Sequence, residues 1–414
     1  MFEFGKDLRK LFAQARESED LGWLELIGVD LLAIEARQQT TDAGRVSCAR
    51  PLEAWLRASA LWREHARRTG AADSLTHART AAADAARHAH AADDVARTAV
   101  ETARNGLTGF DLTGDRLALD QAAREVPGTT AGCRRDTVAA IAAVHARIRA
   151  RQTRFTDNPA ALMQAAALLD AAIHDLADGP ACEVDDLRLD RAALALETGV
   201  MRRDAHLLDQ AGRELQRLVQ SASPDYRPLT RARALTLCGA GLAALAALAH
   251  DDQAHAQGRA MFDAAAEQFT PDHSPLDWAV IQIVRAQTPD ALSLTSLRRL
   301  EAVTAGQGLV VGAIARDLLN QAEVAAAAGT AVTLDFIDAS LRRRLAVRPA
   351  SALDWAVDQI AMARVADARR ETGVDNTGQI GVALIEAAEI AHDHGVPALA
   401  ERAEDLLDRL AARA

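Results

Sequence analysis

Ser274-Pro275-Leu276-Asp277-Trp278-Ala279-Val280-Ile281-Gln282-Ile283 returns 77 residues later as Ser351-Ala352-Leu353-Asp354-Trp355-Ala356-Val357-Asp358-Gln359-Ile360, identical at eight of ten positions. Identity at that density marks a duplicated structural unit. In each copy a serine stands three residues before an aspartate, the spacing at which a hydroxyl caps the third amide of a helix and the acid reaches back. Each copy therefore starts a helix, and Pro275 suits a first helical position, where its missing amide has no intrahelical partner. Leu276, Val280 and Ile283 share one face, while Trp278 and Gln282 share another. A helix that is apolar on more than one side is sandwiched between neighbours, as stacked helical repeats require.

Working outward, Arg50-Pro51-Leu52-Glu53-Ala54-Trp55 is a degenerate version of the same opening, and its helix stops at Thr69-Gly70. Upstream, Gly22-Trp23 opens a helix through Leu24, Ile27, Leu31, Leu32 and Ile34 to near Gln39. Residues 2–17 form an amphipathic stretch with Phe2, Phe4, Leu8, Leu11 and Phe12 set against Lys6, Arg9, Lys10 and Arg16. It packs on the next helix or docks on a membrane surface or a partner. The alanine-dense segment from Asp73-Ser74 to Asn105-Gly106 calls for a break near Asp93-Asp94, and Asp111 to Glu125 supplies a further helix. Pro127-Gly128-Thr129-Thr130-Ala131-Gly132 is the strongest breaker cluster.

Beyond it the pattern predicts helices at about 133–152, 158–177, 184–199, 203–222, 229–249, 252–268, 276–287, 289–304, 308–328, 332–346, 351–372, 378–394 and 396–412. No stretch alternates with a period of two long enough for a strand. The expected fold is all-α, an α-solenoid of antiparallel helical hairpins. The expected division is an N-terminal helical segment at 1–46, divergent hairpins at 47–127 and a repeat array at 133–414.

The Pro-Leu-Asp-Trp-Ala opening resembles a bacterial variety of the tetratricopeptide repeat, in which the motif precedes a helix with a Leu-Gly step and then a helix rich in alanine and leucine. Pro228-Leu229 with Cys238-Gly239 matches the step, with Cys for Leu. Arg285-Ala286 and Met362-Ala363 replace it in the two decamer helices. The resemblance covers about 180–375, thins over 48–178 and is absent from the first 45 residues. It implies a right-handed superhelix whose groove, lined by the first helix of each hairpin, binds a protein or peptide. Placing the step in register puts Arg233, Thr236, Gln287, Arg364 and Asp367 on that inner face.

Composition agrees with helices. Aromatic residues are 3% with one tyrosine, which is poor material for sheets. Of 47 basic residues only Lys6 and Lys10 are lysine, which reads as a GC-rich genome. The net charge of −11 argues against a general nucleic-acid binder. Cys48, Cys133, Cys182 and Cys238 lack metal or disulfide spacing and are expected to be reduced thiols. The longest apolar run, around Leu242 to Ala249, is short for a bilayer, and no apolar signal core opens the chain, so the cytoplasm is the expected compartment.

Candidate chemistry is sparse. His88-x-His90 beside Asp93 and Asp94, and Glu389-x-x-His392 with His394, carry metal-capable donors, but residues two apart on a helix diverge. Gly306-x-Gly308-x-x-x-Gly312 has the wrong spacing for a dinucleotide loop. Asp185-Asp186-x-x-x-Asp190 is one residue too long for the acidic motif of all-helical prenyl-chain enzymes. Trp278 and Trp355 read as packing anchors between hairpins. The expectation is a scaffold with no catalytic residues, metal or cofactor, whose partner is a protein or peptide. A membrane-surface or self-assembling protein acting through residues 2–17 is the alternative, and an all-helical enzyme the third.

Overall fold

The computed structural model describes residues 20–156, 158–286, 292–305, 309–347, 351–370 and 378–412. The amphipathic stretch at 2–17, Gln287 and the glycines at 306 and 308 lie outside them. Among the described residues there are eighteen α-helices and no strand. They are α1 (Val29–Ala43), α2 (Pro51–Thr69), α3 (Ala72–Ala86), α4 (Ala92–Thr113), α5 (Arg116–Glu125), α6 (Arg135–Gln152), α7 (Pro159–Asp175), α8 (Ala181–Arg202) and α9 (Ala205–Ser221). The second half holds α10 (Pro228–Ala249), α11 (Asp252–Gln268), α12 (Pro275–Ala286), α13 (Leu294–Thr304), α14 (Val310–Ala327), α15 (Ala331–Ala346), α16 (Ala352–Arg370), α17 (Gly378–Asp393) and α18 (Pro397–Ala412).

Local chemistry sets several of these ends. Asn158 caps α7 through the Ala160 amide at 3.0 Å, with Pro159 behind it, and Asp204 and Asp251 cap α9 and α11 in the same way. Ser351 accepts the Asp354 amide at 3.1 Å, while the Ser274 hydroxyl donates to the Asp277 carboxylate at 2.6 Å. Both decamers open helices, and Leu276 and Leu353, Ala279 and Ala356, and Ile283 and Ile360 are all buried. Trp278 and Trp355 are each half-buried and pack on the helices that follow them. Two details differ from the sequence pattern. The helix expected from Gly22 is a short 3-10 helix, Leu21–Leu26, separated from α1 by extended backbone at Ile27 and Gly28. The break expected near Asp93 falls at 87–91, which places Asp93 and Asp94 in the first turn of α4, where acids suit the helix dipole.

Successive helices pack side by side, and the even-numbered ones also pack on one another from pair to pair. The odd-numbered helices pack mainly on their even-numbered neighbours, so the even set lines the inside of an α-solenoid and the odd set its outside. The interior is built largely from alanine and leucine, for example Ala146, Leu169 and Ala172 between α6 and α7, and Leu208, Ala211 and Leu215 on α9. Small side chains let the helices approach closely and bury their leucines in the grooves between them.

The winding closes on itself. Five pairs after α2, helix α12 returns to pack against it, and α14 packs against α4. Ala66, Leu75 and Leu112 of the first turn share a buried cluster with Leu276 and Leu309 of the second. Gly70 and Gly114 end α2 and α4 in the left-handed region at φ 74° and 68°. Both sit where the second turn presses: a Cβ on Gly70 would lie 2.4 Å from Leu309 Cδ1, and one on Gly114 2.4 Å from the His394 carbonyl oxygen.

Helix α10, at 22 residues, is long and apolar enough to cross a membrane, more than the run at Leu242 suggests. Here it forms a wall of the solenoid between α9 and α11, and its Arg231 donates to the carbonyls of Val219 and Ala222.

Candidate functional site

Residues four apart share a helix face. On the even-numbered helices that rule sets Arg63 with Arg67, Arg147 with Arg151, and Asp186 with Asp190 on the inner side, where some reach the next inner helix and Arg67 and Arg104 reach past it to acids of α8. Arginine and acid then bridge one helix to another. Arg63 pairs with Glu101, and Arg104 reaches Glu183 at 2.8 Å. Arg67 grips Asp186 at 3.0 Å, and Arg147 and Arg151 each reach Asp190 at 2.6 Å. Arg151 also holds both oxygens of Asp111 at 3.1 Å. Arg233 holds Asp277 through two nitrogens at 3.1 and 2.6 Å. The duplicated decamer repeats this bridge, since Arg316 on α14 reaches Asp354 at 2.7 Å, as Arg233 on α10 reaches Asp277.

These groups surround a cavity of about 270 Å³ in the lumen, where Arg67, Arg147, Arg151 and Arg233 alternate with Asp111, Asp186, Asp190 and Asp277 over a floor that includes Leu237, Phe269 and Val280. Four guanidiniums against four carboxylates make the wall formally neutral but strongly patterned. Burial alone would raise the Asp190 carboxyl, yet Arg147 and Arg151 outweigh it and hold it below the usual carboxylate range. Burial pushes the Asp277 carboxyl up to about 6, against the Ser274 hydroxyl and the Arg67 guanidinium. Among the described residues, Nη1 of Arg233 is buried without a hydrogen-bond acceptor. A larger cleft of about 560 Å³ lies at the far end of α10, walled by Ala243, Ala246, Ala247, Phe262 and Val284 with His250, Asp251 and His255. Its wall is mostly apolar.

Arg233 and Thr236 do line the lumen cavity, although the Thr236 hydroxyl donates to its own helix at Ala232 O, 2.8 Å away. Arg364 and Asp367 sit on α16, outside that cavity. The Arg364 side chain is 11% exposed and grips Asp317, itself fully buried and also held by Arg402. Asp367 faces Arg409 at 3.6 Å. The expected inner-face exposure therefore gives way to ion pairs at these two positions, because acid and base from neighbouring inner helices meet there. Sequence reading missed Arg67, Arg147, Arg151 and their aspartates as cavity residues; the four-residue spacing of like charges on α6 and α8 was the available signal.

Each acid of the Asp185, Asp186 and Asp190 set is engaged. Asp185 meets Arg227 at 3.2 Å and Arg188 at 3.3 Å, and the other two are held as above. His88 and His90 lie exposed in the turn after α3, His392 faces Glu404 at 3.3 Å, and the His394 ring meets Ile390 O. Among the described residues no three metal-capable groups converge. The four cysteines are unpaired, and burial pushes the Cys238 thiol up to about 11.

No protein-family model matches the chain, and no curated protein does. Among solved structures, it aligns over 93% of its length, and 88% of the other chain, with a circular tandem repeat protein with novel repeat topology and enhanced subunit contact surfaces, at 14% identity and a TM-score of 0.23.

Proposed function

We propose that this helical-repeat protein is a non-catalytic scaffold that binds a protein or peptide in its lumen, acting in the reducing conditions of the cytoplasm. The observation that carries the reading is the lumen cavity, with Arg233 at its wall holding a guanidinium nitrogen that meets no acceptor among the described residues. A buried donor without a partner costs roughly 1–3 kcal/mol, so a ligand carboxylate or backbone carbonyl that reaches it gains that amount back. Asp111, the most exposed acid of the wall at 35%, suits a cationic side chain of the same ligand. The ligand class is thus a peptide carrying both signs of charge, and helix packing alone specifies such a platform.

The test is selection of peptides from a random display library on the full chain, followed by titration of the enriched sequences. Binding is expected to fall at least about tenfold in Arg233→Ala, the loss of one hydrogen bond to a charged group. It is expected to hold in Arg213→Ala, whose side chain is exposed on α9 and paired with Asp209. No enrichment, or peptides indifferent to Arg233, refutes the lumen as the binding surface.

A further inference from the structure

Residues 20–29 are bonded to two different turns of the winding in two different ways. Toward the first turn the attachment is mainly apolar: Leu24 and Ile27 are buried with Leu32 of α1, Leu61 and Trp62 of α2 and Ala78 of α3. Arg68, fully buried on α2, adds a bond to the Ile27 carbonyl at 2.9 Å. Toward the second turn it is polar. The Glu25 carboxylate, in a residue 6% exposed, accepts the Thr230 amide at 2.9 Å, the Thr230 hydroxyl at 2.5 Å and Arg227 Nε at 2.8 Å. The Glu25 carbonyl meets His273 Nε2 at 2.7 Å, and the Val29 amide donates to Asp272 O at 3.2 Å.

Thr230 is the third residue of α10, and the residue before that helix, Arg227, contributes no side-chain cap. Glu25 therefore caps α10 from 205 residues away. An anion at that position answers both the free amide and the positive end of the helix dipole. The Leu24 and Ile27 cluster contains no residue of α10, so the apolar attachment is separate from the bonds that Glu25 makes.

We propose that residues 20–29 are a strap that holds the two turns of the solenoid shut, with Glu25 as its latch, and that release of the latch opens the lumen. The strap thereby regulates access to the groove. The latch is read from the shape of the chain and not from binding, so its failure and that of the peptide-binding reading are distinguishable.

The experiment uses the full chain with Glu25→Ala and Glu25→Gln, hydrogen exchange and small-angle scattering. In Glu25→Ala, exchange of the Thr230 amide and its neighbours in the first turn of α10 is expected to rise about ten- to a hundredfold, the scale for losing hydrogen bonds to a charged group. The radius of gyration is expected to rise, while α18, which packs on α16 and α17, keeps its protection. Glu25→Gln, which retains one acceptor and the side chain's volume, is expected to fall between this variant and the parent. Unchanged exchange and dimensions in both variants overturn the proposal. So does a loss of protection spread evenly over all helices, which marks general destabilisation instead of opening.

Discussion

Alanine placed at three glycines tests whether the second turn truly rests on the first. Gly70, Gly114 and Gly329 all hold left-handed backbone, at φ 74°, 68° and 82°. A Cβ in that conformation costs roughly 1–2 kcal/mol at any of them. At Gly329 nothing lies within 4 Å of the added carbon, so that cost is the whole effect. At Gly70 the carbon lands 2.4 Å from Leu309 Cδ1 and 3.1 Å from Leu276 Cδ1, both contributed by the returning turn. Overpacking adds about 1–3 kcal/mol, for a total of about 2–5. At Gly114 the obstacle is the His394 carbonyl oxygen, again at 2.4 Å, and backbone cannot rotate aside as a leucine methyl can. The expected order of destabilisation is Gly114→Ala, then Gly70→Ala, then Gly329→Ala, measured as shifts of the urea midpoint by circular dichroism at constant slope. Three equal losses near 1 kcal/mol would refute the closure, since only contact between turns separates these sites.

Stability should depend on acid in a definite direction. The Asp190, Glu64 and Glu101 carboxyls are each raised by burial but lowered further by their arginines, so in the folded chain they titrate below their ordinary values. Their pairing stabilises the fold fully above about pH 5 and is lost as pH falls from there through the folded values. Urea midpoints should drop on that acid limb, and Asp190→Asn should flatten it; an unchanged limb refutes the assignment. Arg364→Ala leaves buried Asp317 with Arg402 alone and should cost about 2 kcal/mol in thermal unfolding, whereas Arg342→Ala, 61% exposed beside Asp338, should cost under about 0.5. Trp278→Ala and Trp355→Ala, both half-buried, should each cost about 2 kcal/mol and agree to within about 1, roughly half the range for a fully buried indole. A large inequality between them would separate the two decamers as structural units.

The helices were legible because their signals are local. A cap such as Asn158-Pro159, a stop such as Gly70, and the repeated Leu, Ala and Ile positions of the decamers act within one turn of chain. The all-α solenoid followed from those positions. The closure did not, because α2 and α12 meet across some two hundred residues and no spacing in either sequence refers to the other. The same holds for Glu25, whose hydrogen-bond partners Arg227 and Thr230 stand at the mouth of α10. Arg233 and Thr236 could be placed on the inner face from register alone, but register says nothing of which acid will meet them. Forty-five arginines read as genome composition; the structure uses many of them as ties between inner helices, a role visible only once helices are adjacent. Asp185, Asp186 and Asp190 illustrate the reverse case: a spacing close to the acidic motif of prenyl-chain enzymes, with every carboxylate already claimed by a guanidinium from elsewhere in the chain.

The return of α12 onto α2 has a bearing on how such a chain can change length. In an open stack, a hairpin can be added or dropped at little cost, since each unit meets only the next. Here one extra hairpin between α2 and α12 would rotate everything downstream by a fifth of a revolution, carrying Leu276 and Leu309 away from Gly70 and Thr230 away from Glu25. Growth that preserves the seam has to arrive in whole revolutions, so insertions are tolerated in the loops between helices and not as new helical pairs.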